Sequence, residues 1–256
     1  MPRGPGLLGR RGSPVDPTTI AAGGGLLATT AAIGAAGGLV RPGTRTLGLI
    51  AANMSAGFNS AGNDTAGGAV GTAATVAPTA TAPRGSTSLT DAGTLNAQGS
   101  IAGQANGAIW QQKPLFQCVY APGTGSIVVV RHWVAIANTT PTSLLAVDTP
   151  GTSAFSGAGF RFSTAVPDTN WQCVTFNGAS QTVVDSGVAP TALGQLRFEI
   201  SDNGTSTIFK IGGVTVATIT ATRPAASAIV RQGAGHQTLE AVAKVSNVAL
   251  LYLEQD

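Results

Sequence analysis

With 256 residues the chain is long enough to bury a substantial core, yet only 10% of it is charged, against roughly 25% in an average soluble protein. A surface so poor in charge is weakly protected from association, which points to cover by other subunits alongside a small-residue bias in composition. The net charge of +3 is too small for a nucleic-acid-binding stripe, and its arginines are too scattered and lack interleaved aromatics.

The first 105 residues hold six arginines (Arg3, Arg10, Arg11, Arg41, Arg45, Arg84) against three acids (Asp16, Asp64, Asp91), whereas residues 106–256 are balanced at eight and eight. The excess charge therefore lies in the N-terminal part, where arginine suits bidentate contact with an acidic partner surface. Residues 17–40 carry no charge and follow three arginines, the outline of a signal peptide or membrane span. Gly23, Gly24, Gly25, Gly34, Gly37 and Gly38 interrupt the run and threonines dilute it, so both readings fail and no membrane contact is expected. Phe58 is the only aromatic residue before position 106, and the runs 62–68 and 77–83 read as loop and extended chain. This composition buries too little apolar surface to offset about 1–2 kcal/mol of backbone entropy per ordered residue. Residues 1–105 are accordingly expected to form an extended, largely irregular arm for assembly contacts. Its expected mode is strand addition through Leu7, Leu8, Ile20, Leu26, Leu27, Leu47, Leu49 and Ile50, with the arginines contributing less.

From residue 106 onward strand-like runs recur between turn clusters. In chain order they are 115–121, 126–138, 159–164, 171–176, 181–186, 196–201, 206–211, 214–220 and 243–253. No amphipathic helix separates them, which predicts an all-β antiparallel sandwich over residues 106–256. In Leu196-Arg197-Phe198-Glu199-Ile200 the apolar side chains face one way and the charged pair the other. Asn177-Gly178, Asp202-Asn203-Gly204 and Gly212-Gly213 supply turns between antiparallel neighbours.

The blocks Gly159-Phe-Arg-Phe-Ser, Asn170-Trp-Gln-Cys-Val-Thr and Gln181-Thr-Val-Val-Asp-Ser-Gly187 resemble a known domain pattern. So do Leu196-Arg-Phe-Glu-Ile-Ser-Asp-Asn-Gly-Thr and Ile208-Phe-Lys-Ile-Gly-Gly-Val-Thr-Val-Ala-Thr218. Over about residues 108–256 the order of strands and turns resembles the laminin-G-like, concanavalin-A-like jelly roll of tailed-phage virion proteins. The resemblance implies a head decoration, tail-fibre or tail-associated subunit; relatives elsewhere bind sugars or calcium through loop acids and aromatics. Asp148, Asp168, Asp185 and Asp202 lie near turns but form no dense run of oxygen ligands, so neither site carries over.

Chemistry-bearing residues are sparse. Cys118 and Cys173 form no metal-ligand spacing and read as buried small hydrophobes, with a disulfide between them left open. His132 lies in a strand beside Trp133, and His236 follows Gly233-Ala234-Gly235 in an expected loop; neither has a serine partner in a recognised elbow. The acids suggest no glycosidase pair, and no phosphate-binding glycine loop is present. Trp110, Trp133 and Trp171 offer either a saccharide platform or, more in keeping with so few aromatics, core and contact residues. No catalytic, cofactor-binding or metal-ligating residue is nominated. The reading is a non-enzymatic virion structural protein: a capsid decoration (cement) subunit bound to the shell by its arm, most simply a homotrimer. A tail-fibre adhesin binding host glycans and a free carbohydrate-binding sandwich are the alternatives.

Overall fold

The computed structural model describes residues 45–51, 68–76, 86–103 and 107–256. Its strands are β1 (Arg45–Ala51), β2 (Gly68–Val70), β3 (Thr72–Val76), β4 (Ser86–Thr90), β5 (Gln98–Ala102), β6 (Ala108–Ile109), β7 (Leu115–Pro122) and β8 (Val130–Ala137). A single-turn helix, α1 (Pro141–Leu145), starts at Thr140, whose hydroxyl accepts the Ser143 N–H. There follow β9 (Ser156–Ser163), β10 (Gln172–Asn177), β11 (Gln181–Asp185), β12 (Leu196–Asp202), β13 (Thr207–Ile211), β14 (Val214–Ile219), β15 (Ile229–Thr238) and β16 (Val245–Gln255).

They form two antiparallel sheets. The first runs β14-β13-β12-β7-β16-β4-β3, with β1 added to β16; the second runs β11-β10-β9-β8-β15-β5-β2, with β6 added to β15. The all-β sandwich expected from the strand runs is the observed fold. Among the described residues, however, sheet pairing is already present at Arg45, well before residue 106: β4 pairs with β16 and β5 with β15 inside the stretch read as arm. Ser86–Thr90 and Gln98–Ala102 are short and rich in polar and small residues, so they carry no alternation strong enough to read as strands. The expected anchors Leu47, Leu49 and Ile50 lie in β1, which pairs with Leu250–Gln255 of the same chain. Readings that concern Arg3, Arg10, Arg11, Arg41, Arg84, the uncharged run 17–40, Leu7, Leu8, Ile20, Leu26, Leu27, and residues 62–67 and 77–83 lie outside the described residues.

Register fixes what faces inward. Phe116, Cys118 and Tyr120 on β7 stand opposite Ile200, Phe198 and Leu196 on β12, and Leu251 and Leu253 of β16 join them. From the other sheet come Val134 and Ile136 of β8, Phe160 and Phe162 of β9 and Cys173 of β10. Trp171 sits at the centre, fully buried, its ring centroid 4.9 Å from Phe198 and 6.2 Å from Tyr120. A smaller cluster lies on the outer face of the second sheet, where α1 places Leu144 and Leu145 over Trp133, Val174 and Phe176.

Strand β15 does not stand out in the sequence, because Gly233 and Gly235 read as loop punctuation. Both are required by close packing instead. A Cβ on Gly235 would stand 2.5 Å from the Gly99 carbonyl oxygen, and one on Gly233 would stand 2.4 Å from Pro141 Cγ. We expect Gly235→Ala to lower stability by about 1–3 kcal/mol, because the obstructing atom is backbone and cannot swing aside. Denaturant unfolding checks this; a variant as stable as wild type would mean that β5 and β15 are not so closely apposed.

Candidate functional site

Both histidines lie inside the sandwich, fully buried, at the end where β4, β7, β9 and β15 finish. His132 projects inward from β8 and His236 inward from β15; they are register partners, with ring centroids 6.0 Å apart. His132 lies in a strand, as expected, and both of its ring nitrogens have a partner within hydrogen-bond distance. The loop expected around His236 is corrected: it is a strand, and Gly99 opposite leaves room for the ring, since a Cβ there would stand 2.5 Å from His236 Cε1.

Around these rings runs a chain of polar groups. His132 Nε2 lies 2.6 Å from the Ser126 carbonyl oxygen, so Nε2 carries the proton and donates. Nδ1 then accepts, and the donor is the Tyr120 hydroxyl at 2.6 Å. Tyr120 reaches across from the first sheet and lies beside the Ser246 hydroxyl. Ser246 Oγ is 2.9 Å from His236 Nδ1, and His236 Nε2 lies 3.2 Å from Asp91 Oδ2, off the line of a straight hydrogen bond. Asp91 is held in turn by the N–H groups of Gly93 (2.7 Å) and Lys244 (3.2 Å). Burial pushes the Asp91 carboxyl up, but His236 and the two amides outweigh it and keep it below the usual carboxylate range. Burial, with the nearby His236 and Lys244 charges, pushes His132 down to about 3. Burial also pushes the Tyr120 phenol up.

Serine, histidine and aspartate in a row have the composition of a nucleophilic relay, and no short motif in the sequence announces it. Ser246 is 0% exposed, and the partners sit on β7, β8, β15 and β16 and on the loop after β4. The chain ties the two sheets together where they would otherwise bury unpaired polar groups.

The outer face of the second sheet carries a second polar group. Arg131 forms a bidentate pair with Asp148 and donates to the Leu145 carbonyl and to Gln237. Arg161 grips Asp168 at 3.0 and 3.1 Å and donates to the Asp148 carbonyl at 2.6 Å. Burial pushes Asp148 up, but the Arg131 hydrogen bonds prevail and hold it low; at Asp168 burial prevails over Arg161 and the carboxyl is raised. Asp202 pairs with Arg223, and Asp185 accepts the Gly187 N–H, so the four turn aspartates do not converge. Beside this network Trp133, Pro141, Leu144, Leu145, Arg231 and Gly233 line a cavity of ≈ 10 Å³. That volume admits one water and no sugar ring. Trp110, Trp133 and Trp171 are at most 2% exposed and are core residues rather than a platform. Cys118 and Cys173 are buried free thiols on opposite sheets, and burial pushes Cys173 up to about 12.

The depressed His132 gives a pH signature. Its folded-state value of about 3 lies below the unfolded value near 6.5, so the unfolded chain takes up the proton first. This contribution is complete above 6.5 and is lost as pH falls toward 3, with a slope approaching about 1.4 kcal/mol per pH unit. We expect denaturant midpoints to fall between about pH 6.5 and pH 4.5, above the ordinary carboxylate range. His132→Asn should lower stability at neutral pH and flatten that limb. Equal slopes for the two proteins would contradict the assignment.

No protein-family model matches the chain, and no curated protein matches it in sequence. Among solved structures it is similar to the Emp47p carbohydrate recognition domain, at 10% identity and a TM-score of 0.58. That likeness covers 85% of this chain and 99% of the other. It is also similar to a protein of unknown function from Shewanella oneidensis MR-1, at 13% identity and a TM-score of 0.56, covering 85% and 95%. At these identities the likeness speaks of architecture alone, an antiparallel jelly-roll β-sandwich.

Proposed function

We propose that the protein is a non-catalytic structural subunit of a phage particle, a decoration protein held to its shell by the first 41 residues. The observation that carries this reading is the division of the chain into Met1–Arg41 and Pro42–Asp256. The second unit contains both sheets and the whole described core, and residues 1–41 are proposed as the attachment segment. The inward pairing of polar groups supports the reading, since the interior network and the outer-face ion pairs already occupy the side chains that a sugar or a reacting group would use. The low charge content and the resemblance of the strand and turn order to virion jelly rolls agree with it.

The test is incorporation. Full-length protein should co-purify with particles at fixed copy number, and deletion of residues 1–41 should abolish this while leaving the sandwich folded. Particles that never contain the full chain would overturn the reading. A second reading, carbohydrate binding, is favoured by the likeness to a carbohydrate recognition domain. It requires saturable binding of a defined glycan by residues 42–256, which the structural role does not.

A further inference from the structure

Among the arginines and lysines whose side chains are described, every one but Arg231 has a carboxylate partner. Arg231 lies on β15, and its Nε is buried without a hydrogen-bond acceptor. Sheet register explains why the acids of the outer face do not reach it. Arg231 stands opposite Ala137, whereas Arg131, which holds Asp148, stands opposite Gln237. Ala137 and Arg131 are six positions apart on β8. That is roughly 20 Å at about 3.3 Å per residue.

Arg231 is also the charged residue on the lining of the cavity beside α1. Small residues of the sheet, Ala135, Ala137 and Gly233, contribute to that lining, together with Trp133, Pro141 and Leu144. Thr139 adds a hydroxyl that has no hydrogen-bond partner among the described residues. Two donors without acceptors, one of them on a cation, therefore meet an otherwise apolar space. A buried donor left unpaired is costly, and more so on a charged group. Either a water or an anion would relieve it.

Charge and size decide between the candidates. The guanidinium is a permanent positive charge with no counter-ion in the described structure, and apolar neighbours strengthen its attraction to an anion. The space is ≈ 10 Å³, about that of one water. A carboxylate, phosphate or sulfate brings two or more oxygens and does not fit within it, whereas a monatomic ion does. We infer that the cavity between α1 and β15 is a halide site, filled by chloride, with the Arg231 Nε–H and the Thr139 hydroxyl as donors. The ion would tie the α1 segment to the sheet beneath it. The site belongs to the sandwich alone, so the inference does not depend on the virion role proposed above.

The test compares the full chain in sodium chloride, sodium bromide and sodium gluconate at equal ionic strength. Arg231→Gln carries the general effect of each salt on stability. Measured against that variant, wild type should gain about 2–4 °C in melting temperature on passing from gluconate to saturating chloride or bromide. Crystals of the wild type soaked in bromide should show an anomalous peak in the cavity, and crystals of Arg231→Gln should not. Should Arg231→Gln fail to fold, the bromide peak in wild type decides: its presence supports the site and a water in its place overturns it. Identical salt responses of wild type and Arg231→Gln would also overturn the inference. So would a bromide peak that survives Arg231→Gln, which would mark an adventitious ion only.

Discussion

Two imidazoles, a carboxylate, a phenol and a serine hydroxyl lie between the sheets with no water-facing surface, and their hydrogen bonds come from one another and from backbone groups of Gly93, Ser126 and Lys244. Leaving one such group unpaired costs about 1–3 kcal/mol, and more for an ion, so the surrounding strands have little freedom to shift. Tyr120 must stand on β7 at the height of His132, and Ser246 on β16 at the height of His236. Gly99 must lack a side chain because the His236 ring occupies that space. A slip of one residue in β8 or β15 would turn a histidine outward and bring a neighbour into the polar chain. Apolar burial stabilises the sandwich, whereas the polar chain specifies its register at this end.

The same inward bookkeeping of charge shapes the outside. Arg131 and Arg161 are consumed by Asp148 and Asp168 on the outer face of the second sheet, and Lys244 by Glu240 beneath the loops. Lys244 also donates to the Gly125 carbonyl, and the Ser126 hydroxyl accepts the Val245 N–H, so loops from both sheets are tied down at one place. The ≈ 10 Å³ cavity beside Trp133 has room for one water.

Much of the sandwich was legible in the sequence because its strands alternate between apolar and polar. Leu196–Asp202 reads correctly, with Phe198 and Ile200 buried and Arg197 and Glu199 on the outer face beside Lys210. Gly178, Gly204, Gly212 and Gly213 hold the positive φ their turns require. Strands without alternation were missed. In β15 the glycines that permit close packing against β5 and α1 look like loop residues until their neighbours are known. β4 and β5 are short and polar, and what makes them strands is the edge of β16 or β15 beside them. The polar chain was illegible for a related reason. Asp91, His236 and Ser246 come from the loop after β4, from β15 and from β16, and only the pairing of β4 with β16 and of β5 with β15 brings them together.

The sealed polar chain makes one direct demand on solution behaviour. In nitrogen-15 spectra of the imidazoles, His132 should remain the neutral Nε2–H tautomer from neutral pH down to about pH 4, because its folded-state value is about 3. Its ring proton should exchange with solvent only as slowly as the core opens. A His132 ring that titrates near 6.5 with a rapidly exchanging proton would mean that water reaches the space between the sheets, contrary to the structure described.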